Sequence, residues 1–203
     1  MSVATAKRFT IDEYHQLIEL GFLVEGGALR DGKHERIELI RGELIQMATK
    51  GTPHTVCGGL LCRQLDRLLG DKAAIRGQDP ITLLADSEPE PDVVIARGQL
   101  EDYVQHHPYA EEILLVIEVS DTTLTFDQTI KLKLYAAAGI SDYWIANLNA
   151  QQLERYSQPY QTAQGEFQYR SKQISLPNET VPIPGFTDTL LDLSKIFPES
   201  TIA

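Results

Sequence analysis

Cysteine is nearly absent from this 203-residue chain, with only Cys57 and Cys62 present. They stand five apart within a helical pattern. That spacing suits neither a disulfide on one helix nor a CxxC metal site, so both read as buried free thiols. Long apolar runs are missing as well: nothing approaches the roughly 20 residues a membrane-spanning helix needs. The opening "MSVATAKRFTIDEYH" lacks the apolar core of a signal peptide. A cytoplasmic chain with no membrane partner is the expectation. Basic charge is in short supply, with 18 Lys and Arg against 29 Asp and Glu, a net charge of −11. Nucleic-acid binders usually carry a basic footprint. Such a balance argues against an extended DNA-binding surface, unless a local patch or a bound metal reverses the field. Two motifs are absent too. "CGGLLC" falls within a helical pattern, so Gly58 and Gly59 read as aids to close helix packing and not as a phosphate loop. "HERIE", His34 to Glu38, lacks the second histidine of a zinc-protease motif, because its fifth position is Glu38.

A hydrophobic share of 42% is enough for a real core, and the length fits one domain over residues 1–203. "FTIDEYHQLIEL" predicts an amphipathic helix, with Thr10 as N-cap and Asp12 and Glu13 in its first turn. "RIELIRGELIQM" predicts a β-hairpin turning at Gly42. A helix is expected from after Pro53 to Gly70, and two short strands in "AAIRGQDPITLLAD", broken at Asp79-Pro80. "DVVIA" and "ILLVIEV" are apolar enough for central strands covered on both faces. Asp127 is read as the N-cap of a helix that stops at Gly139. "DYWIAN", "QLERYS" and a weaker run near "EFQYRSKQIS" follow as strands. The tail "IPGFTDTLLDLSKIF" is expected to end in a short helix, with Phe197 docking. The order gives an α/β fold of the α+β kind, a central mixed sheet with helices packed against it.

Two carboxylates interrupt this pattern. In "SEPEPDVVIA" three acids and two prolines crowd into six positions before an apolar run, and Asp92 stands at its threshold. In "ILLVIEVSD" Glu118 breaks an otherwise interior run. An ionised carboxylate in a sheet core is costly unless paired, hydrogen-bonded or bound to a metal. If the two strands are neighbours, Asp92 and Glu118 converge on one point. Two carboxylates that close repel unless a cation lies between them. Mg²⁺ or Mn²⁺ suits such hard oxygen ligands. Lys131, in the helix after the Glu118 strand, can swing its ammonium back to the pair; Lys133, two residues on, faces elsewhere. Asp, Glu, metal and Lys together suit phosphodiester hydrolysis.

"RIELIRGELI", "PHTV", "EPEPDVVIA", "LLVIEVSDTTLTFDQTIKLKLYAAAGISDYWI" and "IPGF" together resemble the Uma2 family, also catalogued as DUF820. That family is abundant in cyanobacteria and belongs to the PD-(D/E)xK nuclease superfamily. The resemblance implies a restriction-endonuclease-like core and a metal-dependent endonuclease acting on DNA. It maps the PD onto Pro91-Asp92 and the (D/E)xK onto Glu118-Val119-Ser120. Ser120 stands where the superfamily has its lysine, and Lys131 fits the position of a migrated lysine on the next helix. Glu38 is then the acid contributed by the hairpin, and Val119 offers its backbone carbonyl to the metal. His54, at a helix start, and Gln78, before "DP", are candidates for the substrate side.

Each residue also has a plainer reading. Asp92 can cap a turn, Glu118 can pair with Lys131 as a structural ion pair, and alternation in a hairpin can leave Glu38 in solvent. His54 can be a capping histidine and Gln78 a strand end. Two alternatives to a DNA endonuclease follow: a catalytically silent binding or scaffold protein on the same fold, and a hydrolase of a small phosphodiester. Cutting both strands of a duplex with one site per chain would suit a homodimer.

Overall fold

The computed structural model describes residues 5–23 and 36–197; His34 and Glu35 of "HERIE" lie outside them. The first helix, α1 (Ile11–Glu19), forms as its pattern predicts. Thr10 accepts from the Glu13 N–H while the Glu13 carboxylate accepts from the Thr10 N–H, a complete capping box. The hairpin β1 (Ile37–Ile40) and β2 (Glu43–Gln46) pairs antiparallel. Its two turn residues, Arg41 and Gly42, both have positive φ, as a tight hairpin turn requires. A Cβ at Gly42 would lie 2.7 Å from the Arg8 side chain, so the preceding segment also needs glycine there. Helix α2 (Thr52–Leu69) starts one residue before Pro53 and closes at Gly70.

A six-stranded sheet forms the centre, in the order β3 (Ala74–Arg76), β4 (Val93–Ala96), β5 (Ile113–Ser120), β6 (Asp142–Asn147), β7 (Gln152–Gln161) and β8 (Phe167–Ser175). Only β5 and β6 run parallel; the other neighbours are antiparallel. The parallel step needs a crossover. Helix α3 (Leu124–Phe126), a π-helical turn (Asp127–Lys131) and helix α4 (Leu132–Ala137) supply it as one continuous helical segment. Every residue of β4 is buried, which explains why "VVIA" is continuous rather than alternating. One sheet face carries Val93, Ile95, Leu115, Ile117 and Trp144 against α2 and a second hairpin. That hairpin comprises β9 (Thr180–Ile183) and β10 (Phe186–Asp192). The other face carries Val94, Val116, Tyr143 and Ile145 against Leu132, Leu134 and Tyr135 of the crossover. This is the expected mixed α+β architecture.

Four local expectations need correction. Asp127 is not an N-cap: the helical segment begins at Leu124, and Asp127 lies inside it, buried. "ITLLAD" makes isolated bridges only, because the chain there is pinned by Pro80 and crosses under "SEPEP". The tail is mostly the β9–β10 hairpin, with a short 3₁₀ turn at Leu193–Lys195, and Phe197 is buried. Gly58 and Gly59 face open space, since a Cβ at either would meet nothing within 4 Å. The thiols are both free, Cys57 buried and Cys62 partly so.

A polar tie fixes the crossover to the sheet. Glu154 of β7 is buried, yet its carboxylate accepts from Asn147 Nδ2 (3.0 Å), Tyr156 OH (2.7 Å) and Gln128 Nε2 (2.8 Å), the last from the π-turn. Lys172 Nζ lies 2.7 Å away. Burial alone would raise this carboxyl, but Lys172 and the neutral donors hold it down at about 2. A folded pKa below the unfolded value of 4.5 gives stability present above pH 4.5 and lost as pH falls toward 2. Allowing for screening of the half-exposed Lys172, Glu154→Gln should cost about 2 kcal/mol at neutral pH. It should also flatten the acid limb of unfolding midpoint against pH below 4.5; urea melts of both proteins across that range check it.

Candidate active site

Four elements aim charged side chains at one point. Antiparallel pairing sets Val93 opposite Ile117, so Asp92, one residue before β4, stands beside Glu118 on β5. The Asp92 N–H donates to Glu118 Oε2 at 3.3 Å, and the Val119 N–H donates to Asp92 Oδ2 at 2.9 Å. From the other side of the cleft comes Glu38 of β1, whose Oε2 accepts from the Glu90 N–H at 3.1 Å. Between the two glutamates lies the Lys131 ammonium, 2.8 Å from Glu38 Oε2 and 3.1 Å from Glu118 Oε1. Sequence reasoning brings these four residues to one place, and the structure does too. Lys133, the competitor, points outward and pairs with Glu166.

The helical segment reaches the cluster because of its spacing. Asp127, Lys131 and Tyr135 follow one another at intervals of four, and residues so spaced share a helix face. Tyr135 OH donates to Glu118 Oε1 at 2.7 Å. Asp127 Oδ2 accepts from Ser120 Oγ (2.6 Å) and Thr123 Oγ1 (2.7 Å). The turn between Asp127 and Lys131 is π-helical, with the Leu132 N–H bonded to the Asp127 carbonyl. Such single-turn widenings cluster at functional sites. Neither Tyr135 nor Asp127 emerges from the carboxylate pattern, although their spacing from Lys131 was a usable signal.

Asp92 has partners of its own. Lys50, in the loop before α2, donates to Oδ1 at 2.8 Å, and His54 Nε2 lies 3.0 Å from Oδ2. With Nε2 turned to the carboxylate, His54 Nδ1 is left buried without a partner. All these groups line a cavity of about 160 Å³, together with Glu90, Asp127 and the exposed-side residues Asp121 and Thr122. Gln78 does not line it. That residue sits in a left-handed turn (φ 61°), and its N–H donates to the Asp92 carbonyl, a strand-end role.

The electrostatics separate the two key carboxylates. Burial raises the Asp92 carboxyl, but the His54 hydrogen bond and the Lys50 charge outweigh it and hold it near 2. Glu118 goes the other way: burial pushes it up to about 8, against the pull of Lys131. Lys131 itself is held protonated by Glu118 and Glu38 despite its burial. Five buried carboxylates (Glu38, Glu90, Asp92, Glu118 and Asp127) face only three cations, Lys50, Lys131 and the Arg36 paired with Glu90. Burial raises Asp127 as well as Glu118, so the crowding is met in part by carboxyls that favour their protons. Among the described residues no three His, Cys, Asp or Glu side chains stand close enough to hold a metal by themselves. Two carboxylates are nonetheless the usual protein share for Mg²⁺, which keeps most of its waters. An all-oxygen donor pair, in a cluster where carboxylates outnumber cations, fits a hard divalent cation.

Against this geometry, comparisons with known proteins are informative. The model of the Uma2 family, described as "Putative restriction endonuclease", matches residues 11–194. A crystal structure from Anabaena variabilis ATCC 29413, of "a putative nuclease belonging to DUF820", superposes with a TM-score of 0.66 at 15% identity. The match covers 93% of this chain and 97% of that one, and it shows a shared fold. No curated protein matches the chain.

The inner and outer lysines should differ in what their loss does. Lys131→Met strands two buried carboxylates and should cost about 3–5 kcal/mol. Lys50 has a side-chain exposure of 16%, and Asp92 keeps its Val119 and His54 contacts without it. Lys50→Met should therefore cost about 1 kcal/mol or less. Urea midpoints of the two variants, compared at neutral pH, check the ordering.

Proposed function

The chain belongs to the Uma2 family, and from that premise we propose that it is an endonuclease that hydrolyses DNA phosphodiester bonds with Mg²⁺ or Mn²⁺ held by Asp92 and Glu118. One observation carries the reading: two carboxylates on adjacent strands open into one cavity, within a buried cluster where carboxylates outnumber cations. Val119 would lend its backbone carbonyl to the same cation. A bound divalent cation would polarise a phosphoryl oxygen and lower the pKa of a bound water.

The rest is assigned to the chain's own side chains. Lys131 fills the role of the migrated lysine, balancing Glu118 so that the glutamate can present a charged oxygen. Glu38 anchors Lys131 from the opposite side and stays behind it, as a secondary acid. Tyr135 fixes the Glu118 rotamer through its hydroxyl. His54 faces the substrate side, because its Nδ1 is, among the described residues, the one buried polar side-chain atom lining the cavity that still needs a contact. Lys50, at the mouth, is placed to meet a phosphate as it arrives. With one site per chain, a double-strand cut calls for two copies of the chain acting together.

A second reading has its own support. The carboxylates already have internal counter-ions in Lys131, Lys50 and Arg36, and such a set can hold a fold together without chemistry. On that reading the protein binds or scaffolds and does not cut. A third, hydrolysis of a small phosphodiester, needs the cation but not an extended DNA surface.

Calorimetric titration with Mn²⁺ separates these readings when run on the native protein, Asp92→Asn and Glu118→Gln. Saturable binding by the native chain, weakened at least tenfold in both variants, is expected. Cleavage of single- or double-stranded DNA should follow the same pattern. Binding without action on DNA points to the small substrate. No binding by a folded native protein sinks the metal site and leaves the scaffold.

A further inference from the structure

A cavity larger than that of the acidic cluster lies on the opposite face of the sheet. Helix α2 packs over β3, β4 and β5 and does not cover β7 and β8 on that face. The β9–β10 hairpin arches over part of the remainder, and the gap beneath it is a cavity of about 350 Å³. Its floor is a cross-strand row, Trp144 of β6, Arg155 of β7 and Gln173 of β8, each paired in register with the next. Ser157 extends the floor, and Pro182 and Pro184 form a stiff apolar wall.

Arg155 is the anomaly. Its Nε is buried with no hydrogen-bond partner, and among the described residues its guanidinium has no ion pair. Asp142 shares the cavity without closing on it. The other arginine with a buried, unpartnered Nε is Arg76, which stands 3.6 Å from Asp79 and lies over the Tyr103 ring. Arg155 has neither a close ion pair nor a ring beneath it; its charge reaches Asp142 only at a distance, pulling down a carboxyl that burial raises. A buried donor left unmade is costly, and more so when it is charged. An aliphatic residue would fill a sheet face without that cost.

We propose that this cavity is a binding site for a small oxyanion, a carboxylate or a phosphate monoester, held on the Arg155 guanidinium. The fork of N–H donors matches either group in a two-point contact. The Ser157 hydroxyl and the Gln173 amide supply further polar contacts. Trp144 and the two prolines receive an apolar body about the size of one ring. The volume falls at the lower end of small-molecule pockets, which run from about 300 Å³. The site is separate from the acidic cluster: Trp144 and Arg155 face the α2 side of the sheet, whereas Glu118 faces the crossover helix.

Trp144 is the single tryptophan of the chain, so its emission reports on this cavity alone. The full chain is titrated with phenyl phosphate and with benzoate, against sodium chloride at matched ionic strength. A saturable change in emission and a raised thermal midpoint are expected with at least one of them. The midpoint concentration should rise at least tenfold in Arg155→Gln, and less in Arg155→Lys. A response to phenyl phosphate alone marks a phosphate site, and a response to benzoate alone a carboxylate site. Ser157→Leu, which fills the floor while keeping Arg155, should also weaken binding and guards against a variant that fails to fold. No change beyond the chloride control, or an unchanged midpoint in a folded Arg155→Gln, overturns the proposal. Mn²⁺ binding at the other face should be unaffected by these variants, so either site can fail without the other.

Discussion

The Lys131 ammonium, enclosed between Glu38 and Glu118, is the contact on which the arrangement depends. It joins three elements that share no backbone pairing: the β1–β2 hairpin, the central strand β5 and the crossover helix. Desolvating an ammonium and two carboxylates costs several kcal/mol per ion, and only tight geometry with further hydrogen bonds returns it. The structure supplies those bonds: the Glu90 N–H to Glu38, and Tyr135 OH and the Asp92 N–H to Glu118. A well-packed apolar trio would hold the same elements at lower cost. That a charged one stands there is itself an argument that the carboxylates are kept for chemistry, since stability alone does not select for them.

The crossover is shaped to serve this contact. A parallel β5–β6 step requires a connection over one face, and here that connection carries Asp127, Lys131 and Tyr135 on a single side. The π-turn widens the helix between the first two, and Glu154 grips the same turn through Gln128. A buried, five-donor carboxylate on β7 thus steadies the backbone that delivers Lys131, some distance from any substrate. Lys131 is locked on all sides, whereas Lys50 sits on a loop at the cavity mouth. Two carboxylates enclose Lys131; Lys50 has one and is the more exposed of the two.

How much of this was legible in sequence follows from burial. Asp92 and Glu118 stood out because a carboxylate inside an apolar run is costly, and cost is visible without coordinates. Lys131 was legible from helix geometry once Glu118 had been placed. Glu38 was not, because strand alternation assigns it to either face and only the family resemblance favoured the interior. Asp127 was misread as a cap: the sequence shows an acid before a helical run, but not that the Ser120 and Thr123 hydroxyls donate to it from the end of β5 and the turn that follows. Lys50 lies in a loop with no period to place it, and its contact with Asp92 is purely tertiary. Gln78 stands at a positive-φ turn outside the cavity lining, and its backbone, bonded to the Asp92 carbonyl, is what the structure puts to use there. The β9–β10 hairpin escaped because "IPGFTDTLL" alternates weakly around its turn, and its apolar half has meaning only against α2.

The acidic composition is the remaining tension with a DNA substrate, and distance resolves it. Charges more than about 8–10 Å apart are screened at physiological ionic strength. The net −11 therefore governs long-range approach and solubility, not what happens at the cavity. Within that radius the balance belongs to the few groups lining the cavity: Lys50, Lys131, His54 and the surrounding carboxylates. Carboxylates outnumber cations in this cluster, so on the proposed reading a bound cation is what would let a phosphate approach it. Lys50, 16% exposed against 4% for Lys131, is then the cation most open to an incoming phosphate. On that reading the acid surplus would make phosphate recognition conditional on cation binding, a dependence that a basic groove would not impose.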